Sequence, residues 1–350
     1  MKRYLYGFLM GAGLAVALAF SASAALFETT DIPQTAASGS AYWTRDRMIN
    51  AKPFPLPEMI GAPSLKGTIY DQGEPVGAPG ATKGVAPGSS FLLSKAGESV
   101  AIAFAGGIQP AANGYDYPPP QTTYNELTSL YSTYPYSTVG RVFFSSGGSN
   151  YSCSGSSIGN RAVLTAGHCV SNGAGAWHTN WNFTPAYQNG SAPYGVWSAN
   201  WLSTFFAWHF SSSFCRDVGF AAVSDINGAT LSSKVGALGF AYNSSVVQHW
   251  DMFGYPAGSP YDGKWLVKTE ASYSKTDNPG CTPYTVGMGT AQTGGCSGGP
   301  RIMNFYPGVS GAANYANGVN SYIYTSSPKE LFSPYFDAAV KSLRDTAVAR

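Results

Sequence analysis

Charge is what this chain of 350 residues has least of. Charged side chains make up 11% of it, against about 25% in an average globular domain. Lys and Arg number 20 and Asp and Glu 18. So even a balance builds no basic field of the kind that neutralises phosphates, so nucleic acid is excluded as a partner. Histidine is scarce too, with four residues, and cysteine stands at five. There is no His-Glu-x-x-His and no Cys-x-x-Cys, so no metal constellation is encoded. There is no phosphate-cradling glycine loop and no dinucleotide fingerprint, so no cofactor is expected. After residue 20 no apolar run is long enough to span a bilayer, and no internal repeat is present.

What is there instead is Ser, Thr, Asn, Gly and Tyr, the composition of a turn-rich, β-rich extracellular protein. The N-terminus agrees. Met1-Lys2-Arg3 is a basic start, Tyr4 to Phe20 an apolar run, and Ser21-Ala22-Ser23-Ala24-Ala25 a small-residue processing site. Residues 1–24 therefore read as a secretory signal peptide, and the product as secreted, extracellular or periplasmic, with no membrane partner after cleavage. Export permits disulfides, and five cysteines leave at least one unpaired within the chain.

Residues 25–135 differ from the rest. They hold Pro53, Pro55, Pro57, Pro63, Pro75, Pro79, Pro87 and Pro118-Pro119-Pro120, and neither cysteine nor histidine. Only Ser90 to Ala105 and Tyr124 to Tyr131 look regular. The segment reads as extended chain or linker, a propeptide or a permanent N-terminal extension. From residue 136 to 350 short apolar, β-branched or aromatic runs alternate with turn signals. Val139 to Phe144, Ala162 to Thr165 and Val218 to Val223 are such runs; Asn189-Gly190, Asn227-Gly228 and Asp262-Gly263 are such turns. Many short strands predict an all-β domain of antiparallel barrels or a sandwich. Near the end, Ser333-Pro334 is expected to cap a helix with Phe336, Val340 and Leu343 on one face.

Three stretches carry chemistry together. Ser297 stands between Gly294-Gly295-Cys296 and Gly298-Gly299-Pro300. A serine hydroxyl is a weak nucleophile unless a base takes its proton. His168, directly after the apolar run Ala162-Val163-Leu164, is the expected base. Asp217 opens the apolar strand that follows it and is the expected carboxylate behind the imidazole, ahead of Asp225, Asp251, Asp262 and Asp277. Glycines around the serine leave it exposed and shape an oxyanion hole, for which the N–H groups of Gly295 and Ser297 are the expected donors. His178, His209 and His249 read as surface or core histidines.

Leu164-Thr165-Ala166-Gly167-His168-Cys169, Asp217-Val218-Gly219-Phe220-Ala221 and Gly295-Cys296-Ser297-Gly298-Gly299-Pro300, in the order His, Asp, Ser, resemble the chymotrypsin-like serine endopeptidases. Within them the chain is most similar to the secreted trypsin-like and glutamyl-endopeptidase branch, over about residues 134–345. The resemblance implies two six-stranded antiparallel β-barrels with the active site in the cleft between them and a C-terminal helix. It implies a monomer acting on protein or peptide substrates, made as a precursor. It also implies a Cys153–Cys169 disulfide behind the base. Cys296 occupies a position where many relatives carry Asp, which removes their activating ion pair. Cys281 is the expected disulfide partner of Cys296, leaving Cys215 as the odd cysteine. Ala291-Gln292, at the floor of the specificity pocket, carries no carboxylate, so a neutral or apolar preference is expected. Two other readings remain at this stage: a non-catalytic binding protein on the same fold, and a protease that cuts its own linker and stays blocked.

Overall fold

The computed structural model describes residues 26–33, 41–63, 77–88, 121–123, 128–311 and 313–350. The signal-peptide segment and the stretch from Ser90 to Ala105 lie outside the described residues.

Five short strands come from the proline-rich N-terminal part: β1 (Phe27–Asp31), β2 (Lys52–Pro53), β3 (Glu58–Met59), β4 (Gly80–Thr82) and β5 (Gln121–Thr123). Six more follow: β6 (Val139–Ser146), β7 (Ser149–Gly159), β8 (Ala162–Thr165), β9 (Thr179–Pro185), β10 (Trp197–Phe205) and β11 (Gly219–Val223). These six close on themselves in the order β6-β7-β8-β11-β10-β9, with β9 pairing back onto β6, and every ladder is antiparallel. Closure removes the exposed strand edges of an open sheet.

The period-2 alternation of these strands sends side chains to two different cores. Val142, Phe144, Val163, Ala221 and Val223 point to one cluster together with Cys153, Phe183 and Leu202, the interior of the barrel. Their neighbours Phe143, Leu164, Phe220 and Ala222 join the other, which contains Phe253, Tyr255, Leu266, Ile302 and Phe336 from the second half. These strands are thus buried on both faces, which explains their unbroken apolar runs.

The second half supplies β12 (Gly239–Tyr242), β13 (His249–Gly254), β14 (Val267–Asp277), β15 (Thr285–Gly289), β16 (Pro300–Met303), β17 (Tyr315–Val319), β18 (Tyr322–Tyr324) and β19 (Ser327–Ser333). They form one sheet in the order β18-β19-β15-β14-β13-β16-β17-β12, extended by β3 beside β18, β4 beside β12 and β5 beside β14. The chain ends in a helix, Ala338–Val348, that packs on β8 and β11 of the barrel. The all-β class, one closed six-stranded barrel and the C-terminal helix are as expected; where the second six-stranded antiparallel barrel was expected, the second half forms an eight-stranded sheet in which β12 and β17 run parallel.

Two local expectations shift. The helix starts later than Ser333-Pro334, because Ser333 still belongs to β19. Asp337 is its N-cap, its carboxylate accepting the N–H groups of Ala339 and Val340 at 3.0 Å each. That contact is worth about 1 kcal/mol. Val340, Leu343 and Ala347 then line its buried face. The N-terminal part is also more than a linker where it is described. Its strands join the sheets, β3 and β4 at the two ends of the second sheet and β1, β2 and β5 alongside β10, β7 and β14, and Trp43 and Met48 are buried in the main core. Proline is tolerated there because an edge strand can leave one side unpaired.

Candidate active site

β8 ends at Thr165, and a single 3₁₀ turn, Gly167–Cys169, carries His168. A second short turn, Phe214–Arg216, delivers Asp217 just before β11. The β8–β11 ladder therefore sets the two side chains next to each other, with Gly219 opposite Thr165. Asp217 is fully buried, and its carboxylate accepts three hydrogen bonds. The backbone N–H of His168 donates to Oδ1 at 2.7 Å, and His168 Nδ1–H to Oδ2 at 2.7 Å. The Ser321 hydroxyl donates to Oδ2 at 2.6 Å. An ionised carboxylate only accepts, so Nδ1 must hold the ring proton and Nε2 is left as the basic nitrogen.

The other carboxylates are occupied elsewhere. Asp225 pairs with Arg161, Asp251 with Lys268 and Asp262 with Lys264. Asp277 takes the hydroxyls of Tyr322 and Tyr324. Of the remaining histidines, His178 is a core residue whose Nε2–H donates to the His168 carbonyl at 3.0 Å, and burial pushes its pKa down to about 4. His209 is buried against the Ser171 hydroxyl, and His249 is exposed.

Ser297 belongs to a loop of the second half that is clamped by the first. Ser154 on β7 donates its N–H to the Ser297 carbonyl at 2.7 Å and its hydroxyl to the Gly295 carbonyl at 2.9 Å. Asn320 closes the loop from behind, its amide donating to the carbonyls of Phe253 and Cys296. Space explains the glycines. Gly298 has φ +77°, and a Cβ there would lie 2.0 Å from Thr165 Oγ1. A Cβ on Gly299 would lie 1.9 Å from the Phe253 carbonyl oxygen. Only glycine lets the loop press against β8 and β13 this closely. The Ser297 Oγ and His168 Nε2 are both buried, and neither has a hydrogen-bond partner. No hydrogen bond joins the Ser297 hydroxyl to the His168 imidazole in this conformation.

The cysteine pairing is a correction in part. Cys153 and Cys169 are joined as expected, tying β7 to the turn that carries His168. Cys281 is joined to Cys215, and Cys296 is the free cysteine. The expected Cys281–Cys296 bridge does not form because Cys296 packs inward among Met288, Met303 and Leu331. There, burial pushes its thiol up to about 12, against the pull of the buried Arg301 guanidinium. A thiol held protonated at neutral pH is a poor nucleophile, which favours Ser297 over Cys296. Among the described residues, one trio of potential metal ligands lies close together: Cys153, His168 and Cys169. Two of these are sulfurs of one disulfide and the third is tied to Asp217, so the trio does not fit a metal ion.

Ala291 and Gln292 lie on the strand-to-loop approach to Ser297. Gln292 is buried, its amide donating to the Met252 carbonyl and to Thr269 Oγ1. Sequence reasoning missed Ser321, which lies 104 positions from Asp217, and it missed Ser154 and Asn320.

A model of the trypsin family matches residues 130–346. The chain belongs to that family. The chain is similar to the crystal structure of protease Anisep from Arthrobacter nicotinovorans, at 37% identity and a TM-score of 0.57, over 62% of this chain and 97% of that one. It is similar to the thermostable serine protease AL20 from an extremophilic microorganism, at 32% identity and a TM-score of 0.56, over 61% of this chain and 98% of that one. A Glu endopeptidase structure shares the fold at 18% identity and a TM-score of 0.53, so the glutamyl-endopeptidase branch is not established. Among curated proteins, an extracellular metalloprotease of Bacillus subtilis (strain 168) is 25% identical over 211 residues, 57% of this chain. The match spans 62% of that relative's length. These neighbours support a proteolytic role, with protein or peptide substrates. The disulfides and the fold suggest an extracellular protein, and no helix among the described residues is long and apolar enough to cross a membrane.

Proposed function

We propose that the chain is a secreted serine endopeptidase, made as a precursor with a signal peptide at residues 1–24 and a propeptide or N-terminal extension at 25–135. Ser297 attacks the substrate carbonyl, His168 Nε2 takes its proton, and Asp217 holds the imidazole in the tautomer that can do so. The Gly295 and Ser297 N–H groups receive the oxyanion of the tetrahedral intermediate. His168 then donates its proton to the leaving amine, and water repeats the sequence on the acyl-enzyme.

The observation that carries this reading is the buried Asp217 carboxylate, which takes His168 Nδ1–H at 2.7 Å while the backbone N–H of the same histidine locks the second oxygen. Such a carboxylate, fully desolvated yet triply hydrogen-bonded, fixes a ring orientation rather than a surface charge. With no carboxylate at Ala291-Gln292, the preferred residue at the scissile bond is neutral or apolar.

The test is fluorophosphonate labelling of the processed protein beside its Ser297→Ala variant, read by intact mass. One adduct on the first and none on the second is the expected result. An adduct on both, or peptide hydrolysis that survives Ser297→Ala, would overturn the assignment.

A further inference from the structure

Residues Lys52 to Met59, Lys-Pro-Phe-Pro-Leu-Pro-Glu-Met, run directly across the candidate site. The Phe54 carbonyl accepts the Gly295 N–H at 3.2 Å, one of the two donors set for the oxyanion. The Phe54 N–H donates to the Ser152 carbonyl at 2.9 Å. The Phe54 ring stacks on the His168 imidazole, with centroids 5.9 Å apart and planes 17° from parallel. It also meets Phe144 and Tyr151 at 5.2 and 5.1 Å. Two residues on, Leu56 is buried in the cluster that holds Met288, Cys296 and Ile323.

Both flanks are hydrogen-bonded as strands. β2 runs parallel to Tyr151–Ser152 of the barrel, and β3 runs parallel to Ile323–Tyr324 of the second half. The N–H groups of Ile323 and Thr325 donate to the carbonyls of Pro57 and Met59 at 3.1 Å each. The segment thus ties one half of the molecule to the other over the triad.

We propose that residues 52–59 are an inhibitory strap, a proline-interrupted apolar peptide that fills the active-site cleft and resists being cut there. This rests on Ser297 being the nucleophile. The strap takes an oxyanion donor and covers the face of the base. The peptide bond it places at that donor is Phe54–Pro55, whose nitrogen is tertiary and ring-constrained, which hinders its turning toward the imidazole for protonation. Pro53, Pro55 and Pro57 alternate with the two side chains that fill the cleft. Each fixes its own φ near −65°, so the strap loses little freedom on docking. The alternation also defines the ligand class of the cleft: an aromatic side chain beside the imidazole, an aliphatic one in the apolar cluster of the second half, and charge only at the exposed ends, Lys52 and Glu58.

The test uses the full-length unprocessed chain. Rates of fluorophosphonate labelling are compared for wild type and for Phe54→Gly/Leu56→Gly, with intact mass confirming that residues 25–135 are still attached. The double variant is expected to label at least tenfold faster. Adding the synthetic octapeptide Lys-Pro-Phe-Pro-Leu-Pro-Glu-Met to it should slow labelling again. Leu56→Ser alone, a milder change, should give a smaller acceleration of the same sign if the double variant folds poorly. Equal rates in wild type and both variants, fast or nil, would overturn the strap. A label that persists after Ser297→Ala would instead overturn the assignment of the nucleophile.

Discussion

Replacing Asp217 by Asn keeps the volume of a buried side chain and changes one oxygen into an NH₂ group. The structure decides which oxygen. Oδ1 faces the backbone N–H of His168, a donor that cannot turn round, so the amide oxygen must stay there. The NH₂ group then faces His168 Nδ1 and the Ser321 hydroxyl. Ser321 can rotate and accept, so the new group is satisfied. His168 cannot donate from Nδ1 to an N–H, so its proton moves to Nε2. The nitrogen that should take the Ser297 proton is then already protonated. A wrong tautomer of this kind costs ~10⁴ in kcat in a Ser-His-Asp enzyme, which is about 5.5 kcal/mol of barrier. The assay is kcat and kcat/KM on an apolar peptide ester with the processed protein, beside thermal unfolding. A fall of three to four decades with Tm within a few degrees of wild type is expected. Retention of activity within tenfold would refute the reasoning, because Asp217 would then not be setting the tautomer.

Two further outcomes follow from particular contacts. The Cys215–Cys281 bridge spans 66 residues. Loop-closure entropy gives it about 4 kcal/mol, so Cys215→Ser should lower the denaturant midpoint by that equivalent, while Cys296→Ser should change it far less. Thiol alkylation of the wild type should modify one cysteine, Cys296, and only after unfolding; two more modified thiols at Cys215 and Cys281 would contradict the pairing. His178 sits near pKa 4 when folded against about 6.5 when unfolded. Between these values the unfolded chain binds more protons, so stability falls as pH drops from about 6.5 to 4 and is unaffected by this group below that. The loss is about 3 kcal/mol at most. His178→Gln, which keeps a donor for the His168 carbonyl, should flatten that part of the stability profile; an unchanged slope would assign it to other groups.

His168, Asp217 and Ser297 could be singled out in the sequence because each carries a local mark. His168 ends an apolar run that becomes β8, Asp217 opens the run that becomes β11, and Ser297 sits among glycines that the tight packing of Gly298 and Gly299 requires. The all-β class and the C-terminal helix were legible through short apolar runs set between turns and through the spacing of Val340 and Leu343, while the six-stranded barrel was implied by the family resemblance. Ser321, Ser154 and Asn320 were not, since a serine or asparagine carries no mark of a partner far off in the chain: Asp217 is 104 positions from Ser321, Gly295 141 from Ser154 and Phe253 67 from Asn320. The pairing of Cys281 failed for want of the same information. Proximity in the chain favoured Cys296, whereas the packing turns that thiol into the core and leaves Cys215 within reach. The strands of the N-terminal part were hidden by Pro53 in β2 and by the prolines around the others, which read as breakers although edge pairing uses only one side of the backbone.

The parts of the site come from both halves of the molecule, and that has a mechanical consequence. Asp217 belongs to the barrel but takes its third hydrogen bond from Ser321 of the second half. Ser297 belongs to the second half but its loop hangs on Ser154 of the barrel. Two residues before Asp217, Cys215 is bonded to Cys281, and between them Arg216 forms a two-pronged pair with Asp337 at the cap of the C-terminal helix, at 2.9 and 3.0 Å. Contacts of 2.6–2.9 Å made across a seam tolerate little sliding, and a displacement of about 1 Å can cost on the order of 10² in rate. The disulfide and the helix cap therefore act on the placement of Asp217 beside His168 as well as on global stability. The strap at residues 52–59 spans the same seam with a ladder on each side, so the segment that closes the site also braces the two halves in the register the site needs.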